Sequence, residues 1–407
     1  MAVHTIDSFI QNSSLYFMDD TKTYVPISNI MNVSLPAVVV APAASLKLEY
    51  KETILDGRQL SRLREQGFSK GMSEVLQKHC NSFPIRIFIV DNSSSMNFVD
   101  GQRLVATGTN AKAPVKLESF SCTRWEELQE TIDYHAEMAA LLQAQTIFRF
   151  LNKPIIKIPQ EFSIGMNGLS SITEDLRKAK DTIQRASPLG VTPLSEHLKA
   201  IQTELEGYAP SLRIEGKRVA VILATDGLPS DARGISGSAE LDNFTNALRE
   251  LEGLPIRLVI RLCTDDETVV DFYKSLDCQL ELSMKVISDF FEEAQDVYAV
   301  NPWANYSLPL QRMRELGFQH RIFDLLDERR LGLSELTEYC IFLFGIGEFD
   351  GVPDPAIDFQ GFLSAVKRIV KGENYQWHPV KMKLKPLVSL RKLSKLYGSG
   401  AKTCNVM

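Results

Sequence analysis

The chain has 407 residues, of which 44% are apolar and 24% charged, and its formal net charge is −6. Those proportions belong to a soluble globular protein with a sizeable core, and nothing global points to nucleic acid. The length suits two or three domains, but the charge is unevenly spread: residues 379–404 hold no acidic residue, yet carry Lys381, Lys383, Lys385, Arg391, Lys392, Lys395 and Lys402.

Residues 1–50 show several turn residues and no clear period, so we expect an irregular arm, with one strand around Ala37–Val40. Its most apolar stretch, LPAVVVAPAA, is short and carries two prolines; a bilayer span needs roughly 20 apolar residues. No basic segment precedes an apolar one, and Ala2 stands where N-myristoylation needs glycine. A cytosolic start is expected. Residues 59–80 read as helix, weakened at Gly67 and Gly71.

From Pro84 strands and helices alternate. IRIFIV is a short apolar run of the kind covered on both faces. Residues 97–121 look like an inserted hairpin. TRWEELQETIDYHAEMAALLQAQ is a strong amphipathic helix, followed by the strand TIFRFLN and a short edge strand at EFSIGM. SITEDLRKAKDTIQRA is a helix, with Ser171 and Glu174 as its expected capping box. TPLSEHLKAIQTELEGYA is another, with Pro193 in its first turn. Then come the strand KRVAVILATDG, a helix ended by Gly253, the strand PIRLVIRLCTDD, the helix ETVVDFYKSLD, the strand LSMKVIS and the helix DFFEEAQDVYAV. This alternation predicts an α/β fold: a doubly wound, mostly parallel sheet over 84–300. We divide the rest into an N-terminal arm and helix (1–83), a small helical region (301–378) and a basic tail (379–407).

The six cysteines are scattered, with no CxxC pair and no clustered histidine, which argues against zinc. Cys80, Cys122, Cys263, Cys278 and Cys340 read as reduced, mostly core-filling thiols. The sharper chemistry lies at strand ends, where open α/β sheets bind ligands. Asp91 ends one central strand, followed by Ser93 and Ser95. Asp226 ends another, and Thr192 precedes a helix. The two serines sit at alternate positions, so both hydroxyls can point the same way. Two carboxylates and three hydroxyls are hard oxygen donors, suited to Mg²⁺ first, or to Mn²⁺ or Ca²⁺. The plainer reading of Asp91 and the serines is a capped turn, which leaves Thr192 and Asp226 unexplained.

D-x-S-x-S after an apolar strand, then T-P-L, then an apolar strand ending T-D-G, resembles the von Willebrand factor A domain family. The resemblance covers about half of the chain. It implies a metal-ion-dependent adhesion site at Asp91, Ser93, Ser95, Thr192 and Asp226. It also implies a role in docking: the cation completes its coordination with an acidic residue from a protein partner. Ser94 and Val191 stand where the family often has glycine; neither supplies a ligand.

An enzyme is the competing class. A phosphoryl-transfer nucleophile at Asp91, on the haloacid dehalogenase pattern, needs a second aspartate two residues on, and Ser93 stands there. The serines lack a general base. His197 is expected on a helix surface, and His79, His135, His320 and His378 show no partner pattern. We expect no catalysis.

The chain ends Cys404-Asn405-Val406-Met407, which fits a C-a-a-X prenylation signal with farnesyl preference. One lipid chain binds membranes only marginally. The tail lysines and arginine supply a second attraction to an anionic cytoplasmic leaflet, at about 1 kcal/mol each. The reading is therefore a non-enzymatic, cation-dependent adaptor, peripheral on the cytoplasmic membrane face, without nucleic acid.

Two features remain. The stretches 327–338 and 350–361 are at best degenerate EF-hand turns, because Arg329, Leu331 and Gly361 occupy ligand positions. RLREQGFSKGMSEVL (62–76) and RMRELGFQHRIFDLL (312–326) share residues at equal spacing. A Gly-Phe after a short helix resembles ubiquitin-associated domains, suggesting a ubiquitin-pathway adaptor as an alternative. The plainer reading is two amphipathic helices with the same kind of stop.

Overall fold

The computed structural model describes residues 52–107, 116–155 and 157–398. The expected strand at Ala37–Val40 lies outside them. Two helices come first, α1 (Gly57–Glu65) and α2 (Lys70–Ser82), so the 59–80 segment breaks at Gly67. Then follow β1 (Ile85–Val90), the hairpin β2 (Gly101–Thr107) and β3 (Lys116–Cys122), α3 (Arg124–Leu142), β4 (Gln145–Phe150) and β5 (Glu161–Ile164). Helices α4 (Ile172–Arg185), α5 (Leu194–Glu206) and α6 (Ala209–Ile214) lead to β6 (Val219–Thr225) and α7 (Ser238–Arg249). The alternation closes with β7 (Ile256–Leu262), α8 (Glu267–Asp277), β8 (Met284–Ile287) and α9 (Phe290–Val300).

The sheet has six strands in the order β5-β4-β1-β6-β7-β8. All pairs are parallel except β4–β5. The central strands β1 and β6 are buried at every position, as expected of strands covered on both faces. One face packs Ile87, Val221 and Leu258 against α5, α7 and α8. The other packs Phe88, Phe148 and Ile222 against α3 and α4. The chain reverses direction along the sheet between β1 and β6, so the loops after these strands share one edge.

A helical layer completes the molecule: α10 (Leu308–Glu315), α11 (Arg321–Asp324), α12 (Leu333–Phe344), α13 (Phe359–Val370) and α14 (Leu390–Tyr397). Between α13 and α14 lies a small hairpin, β9 (Gln376–His378) and β10 (Lys383–Lys385). Leu63 and Met72 from the N-terminal helices, Met138 from α3, and Leu310, Leu343 and Leu393 from the layer belong to one continuous core. Each of the four segments drawn from sequence contributes to that core.

The repeated RxRExGF stretches have a physical cause. After α1, Gly67 takes φ 93°, Gly67 N–H donates to Arg64 O (3.0 Å) and Phe68 N–H to Leu63 O (3.0 Å). After α10, Gly317 takes φ 84°, with Gly317 N–H on Arg314 O (2.9 Å) and Phe318 N–H on Met313 O (3.1 Å). Both are Schellman stops, which need a residue at ease in the left-handed region. Phe68 and Phe318 are buried in the protein's own core.

One local expectation fails. Ser171 does not cap α4, because its backbone is already helical (φ −89°, ψ −14°), and a capping hydroxyl requires an extended residue. Its hydroxyl donates instead to Gly168 O at 2.9 Å and Asp175 at 2.8 Å. Capping boxes form at Thr123–Glu126 on α3 and Asp56–Gln59 on α1. The five cysteines of the described residues are unpaired; four are buried and Cys278 is exposed.

Candidate functional site

β1 delivers Asp91 to the sheet edge while its N–H still bonds Ala224 O of β6 at 2.9 Å. The chain then turns sharply. Ser93 N–H donates back to Asp91 Oδ1 at 2.8 Å, which brings the Ser93 and Ser95 hydroxyls together at 3.0 Å. Ser95 Oγ donates to Asp226 Oδ1 at 2.8 Å, joining the loops after β1 and β6. Thr225, the last residue of β6, donates its hydroxyl to Asp91 Oδ2 at 2.6 Å. The Asp91 and Asp226 side chains are buried.

Thr192 comes from the third loop. Its N–H donates to Ser230 Oγ (2.9 Å) and its C=O accepts from Ser230 N–H (3.0 Å), so the loop after β6 grips it by the backbone. Among the described residues its hydroxyl has no hydrogen-bond partner, and it lies 4.0 Å from where a Cβ on Gly227 would stand. The five residues named from sequence are thus carried by three interlocked loops.

Sequence reasoning missed the braces. Asn92 and Asn152 pair reciprocally, Asn92 Nδ2 to Asn152 O at 3.0 Å and Asn152 N–H to Asn92 Oδ1 at 2.7 Å. Asn152 Nδ2 also donates to Val191 O at 2.7 Å. Gly190 packs against this brace with φ 97°; a Cβ there would meet Asn152 Oδ1 at 2.5 Å. The required glycine thus stands two residues before Thr192, where Leu189 N–H and Gly190 O also bond Asn92 O and Ser94 N–H.

Also missed was a cation. Arg124, the first residue of α3, donates Nη1–H to Asp226 Oδ2 at 2.9 Å. Its Nε and Nη2 clasp Asp100 at 2.7 and 2.5 Å, and the guanidinium lies 5.2 Å from the Phe98 ring centroid. Asp100 and Arg124 flank the inserted hairpin, and no local pattern pairs residues across such an insertion.

The electrostatics follow from burial. Desolvation, and then the charge of Asp226, pushes the Asp91 carboxyl up to about 6, against the bonds from Thr225 and Ser93. Arg124 holds the opposite sign, and its guanidinium is raised by Asp100 and Asp226. Asp100 is correspondingly lowered by Arg124. Tyr273 bonds Gly227 O at 2.9 Å, and burial, with the two site carboxylates, raises its hydroxyl well above the usual range.

The donor set is therefore oxygen from carboxylates and hydroxyls, with no imidazole or thiolate among the donors. The residues fit a hard divalent cation: two carboxylates repel each other in a buried place, and on the loop gripped by Ser230 the Thr192 hydroxyl has no partner among the described residues. His197 is buried rather than on a helix surface; its Nε2 contacts Leu151 O at 3.0 Å, and burial lowers it to about 4. His135 is buried and contacts Glu315 at 3.0 Å.

The remaining sequence candidates lie elsewhere. Lys381, Lys383, Lys385, Arg391, Lys392 and Lys395 line one cavity beside the β9–β10 hairpin and α14. Lys402 and Cys404 lie outside the described residues. Among those described, no helix is long and apolar enough to cross a membrane. The EF-like stretches are spent on other work: Asp327 pairs with Arg314 at 3.0 Å, Glu335 with Arg329 at 2.7 Å, and Asp358 caps α13.

No protein-family model matches the chain, and no curated protein matches it. Among solved structures, the PilB minor pilin from Streptococcus sanguinis is similar at 12% identity and a TM-score of 0.33, covering 51% of this chain and 57% of that one. A point mutant of the same pilin gives 14% identity and a TM-score of 0.32, covering 50% and 57%. The match thus spans little more than half of the pilin's length.

Proposed function

We propose that residues 84–300 are a von Willebrand factor A-type module whose Asp91, Ser93, Ser95, Thr192 and Asp226 hold a divalent cation, Mg²⁺ foremost. The bound cation presents an open position to a carboxylate of a protein partner. The observation that carries this reading is the convergence of three loops on one buried pair of carboxylates, bridged by Ser93 and Ser95, with no histidine or cysteine among the donors. Arg124 gives Asp226 one positive charge, whereas a divalent cation gives two and serves both carboxylates. Cation loading therefore competes with the Arg124–Asp226 contact and leaves Arg124 to Asp100.

The chain is an adaptor in this reading, not an enzyme. A prenyl group on Cys404 and the basic tail residues hold it to a cytoplasmic membrane face. The test is capture of partner proteins on the immobilised chain with and without EDTA. Asp91→Ala and Asp226→Ala should each abolish the EDTA-sensitive fraction; capture that survives both changes would refute docking through the cation. Cys404→Ser should move the protein from membrane to soluble fraction in cells, and an unchanged distribution would remove the lipid tether.

A further inference from the structure

The residues assigned above to a diffuse basic tail fold into a concave site. Residues 376–398 form a hairpin and a helix anchored by buried Leu387, Val388 and Leu393. Between them and α13 lies a cavity of about 750 Å³, within the usual size of a small-ligand site. Its walls carry eight basic residues and no acidic one. Lys367 and Lys371 come from the end of α13, Lys381, Lys383 and Lys385 from the hairpin, and Arg391, Lys392 and Lys395 from α14.

None of the eight forms an ion pair with a described residue, although such pairs are common elsewhere in the molecule. Two of the lysines turn instead to an aromatic ring: Lys381 and Lys392 stand 4.5 and 4.2 Å from the Tyr298 ring centroid. Lys392 also donates to Pro302 O at 2.6 Å, so it is fixed in place. The local field is uncompensated. Tyr298 is lowered by its bonds to Lys381 and Lys392, and His378 falls to about 4 through burial and then the charges of Lys392, Lys381 and Lys385. His378 is buried in the wall, and its Nδ1 has no hydrogen-bond partner.

α14 begins in the same wall, at Ser389 and Leu390. Ser389 makes no side-chain cap; Lys392 and Leu393 N–H bond Ser389 O, so the Leu390 and Arg391 N–H groups add donors at a positive dipole end. Eight cations around one cavity give it a positive potential that attracts an anion of similar charge. A phosphate carries about −2 charge, so three or four phosphates on one compact frame match the set. Lysine, a mobile point charge, suits phosphate rather than a fixed carboxylate fork. The compact, concave outline favours a ring-borne cluster of phosphates over a threaded nucleic-acid strand, which also wants a row of stacking aromatics.

We infer that this cavity binds a multiply phosphorylated inositol ring, free or as a phosphoinositide headgroup. The hairpin favours the lipid source, since it leaves Met382 and Leu384 each 49% exposed between the lysines. This inference shares its lysines with the membrane reading above but needs neither Cys404 nor the cation site.

The test uses the full chain carrying Cys404→Ser, so that no prenyl group contributes. Inositol hexakisphosphate is titrated calorimetrically. Co-sedimentation then compares phosphatidylcholine vesicles holding phosphatidylinositol bisphosphate with vesicles matched in charge by phosphatidylserine. The expected result is saturable one-to-one binding of the soluble ligand, preference for the phosphoinositide vesicles, and competition between the two. Lys367→Glu with Lys371→Glu, at the C-terminal end of α13 and outside the tail, should weaken both by about tenfold or more, as should Lys383→Glu with Lys385→Glu. Soluble binding without vesicle binding would support the ring chemistry and assign the free source. Equal binding to both vesicle types with no effect of the α13 changes would overturn the pocket in favour of a diffuse basic surface. Tighter binding of single-stranded RNA that displaces the inositol ligand would overturn it as well.

Discussion

Asp91 sets the pH behaviour of the proposed cation site. Its folded pKa, about 6, lies above the usual 3.8 of an aspartate. The stability this group lends the cation-free protein is fully present below pH 3.8 and is lost as pH rises to about 6, because the folded state must then give up a proton it holds more tightly than the unfolded chain does. Asp91→Asn should therefore raise the unfolding free energy of the cation-free protein above pH 6, by up to about 3 kcal/mol for a shift of some two units, read from urea melts. The same ionisation controls metal affinity: Mg²⁺ binding should strengthen about tenfold per pH unit below 6 and level off above it. Arg124 acts in the other direction. Arg124→Gln removes a competing charge, so Mn²⁺ should bind several-fold more tightly, by roughly 1 kcal/mol; weaker binding would mean that Arg124 instead builds the site. The residues proposed as ligands were legible in the sequence because each stands at or near a strand end or helix start in an apolar context. Arg124, Asp100 and Asn152 were not, because their partners are distant in the chain and their residue types are ordinary for helix starts and loops.

At the scale of elements, periodicity located the sheet strands and most helices, and the hairpin of β2 and β3 stands where an insertion was expected. What it concealed was charge inside the strands. IRIFIV was read as an apolar run and TIFRFLN and PIRLVIRLCTDD as strands, with no role given to their arginines, yet Arg86, Arg149, Arg257 and Arg261 are buried. Two of them find carboxylates distant in the chain: Glu161 and Glu204 hold Arg149, and Glu127 holds Arg261. Glu315 of α10 binds Arg312 at 2.8 Å and His135 at 3.0 Å, and faces Arg261 at 3.9 Å. Burial opposes its ionisation, but Arg312 and the bond from His135 hold the Glu315 carboxyl well below the usual range. This network ties α3, β7 and α10 together. Removing Glu315 leaves the Arg312 guanidinium without a carboxylate, so Glu315→Gln should cost about 3–5 kcal/mol, seen as a lower urea midpoint with an unchanged slope. A loss under about 1 kcal/mol would show that Glu127 alone suffices.

For the whole molecule, the sequence divided the chain by changes in pattern, and packing joined it again. The N-terminal helices, the region after 300 and the basic segment share a core because each is amphipathic and too small to bury its own apolar face. Net charge hid a local excess: a −6 chain carries a cavity walled by lysines. The tail was legible as basic and the strand-end loops as oxygen-rich, but concavity belongs to the fold. The central claim is a divalent cation held by the carboxylates at the ends of β1 and β6. The most direct measurement is Mn²⁺ titration of the full chain followed by electron paramagnetic resonance, beside Asp226→Asn and Thr192→Ala. The account predicts one bound ion per chain, displaced by Mg²⁺, lost in Asp226→Asn and weakened in Thr192→Ala. No bound ion in the unaltered chain, or equal binding by Asp226→Asn, would contradict it.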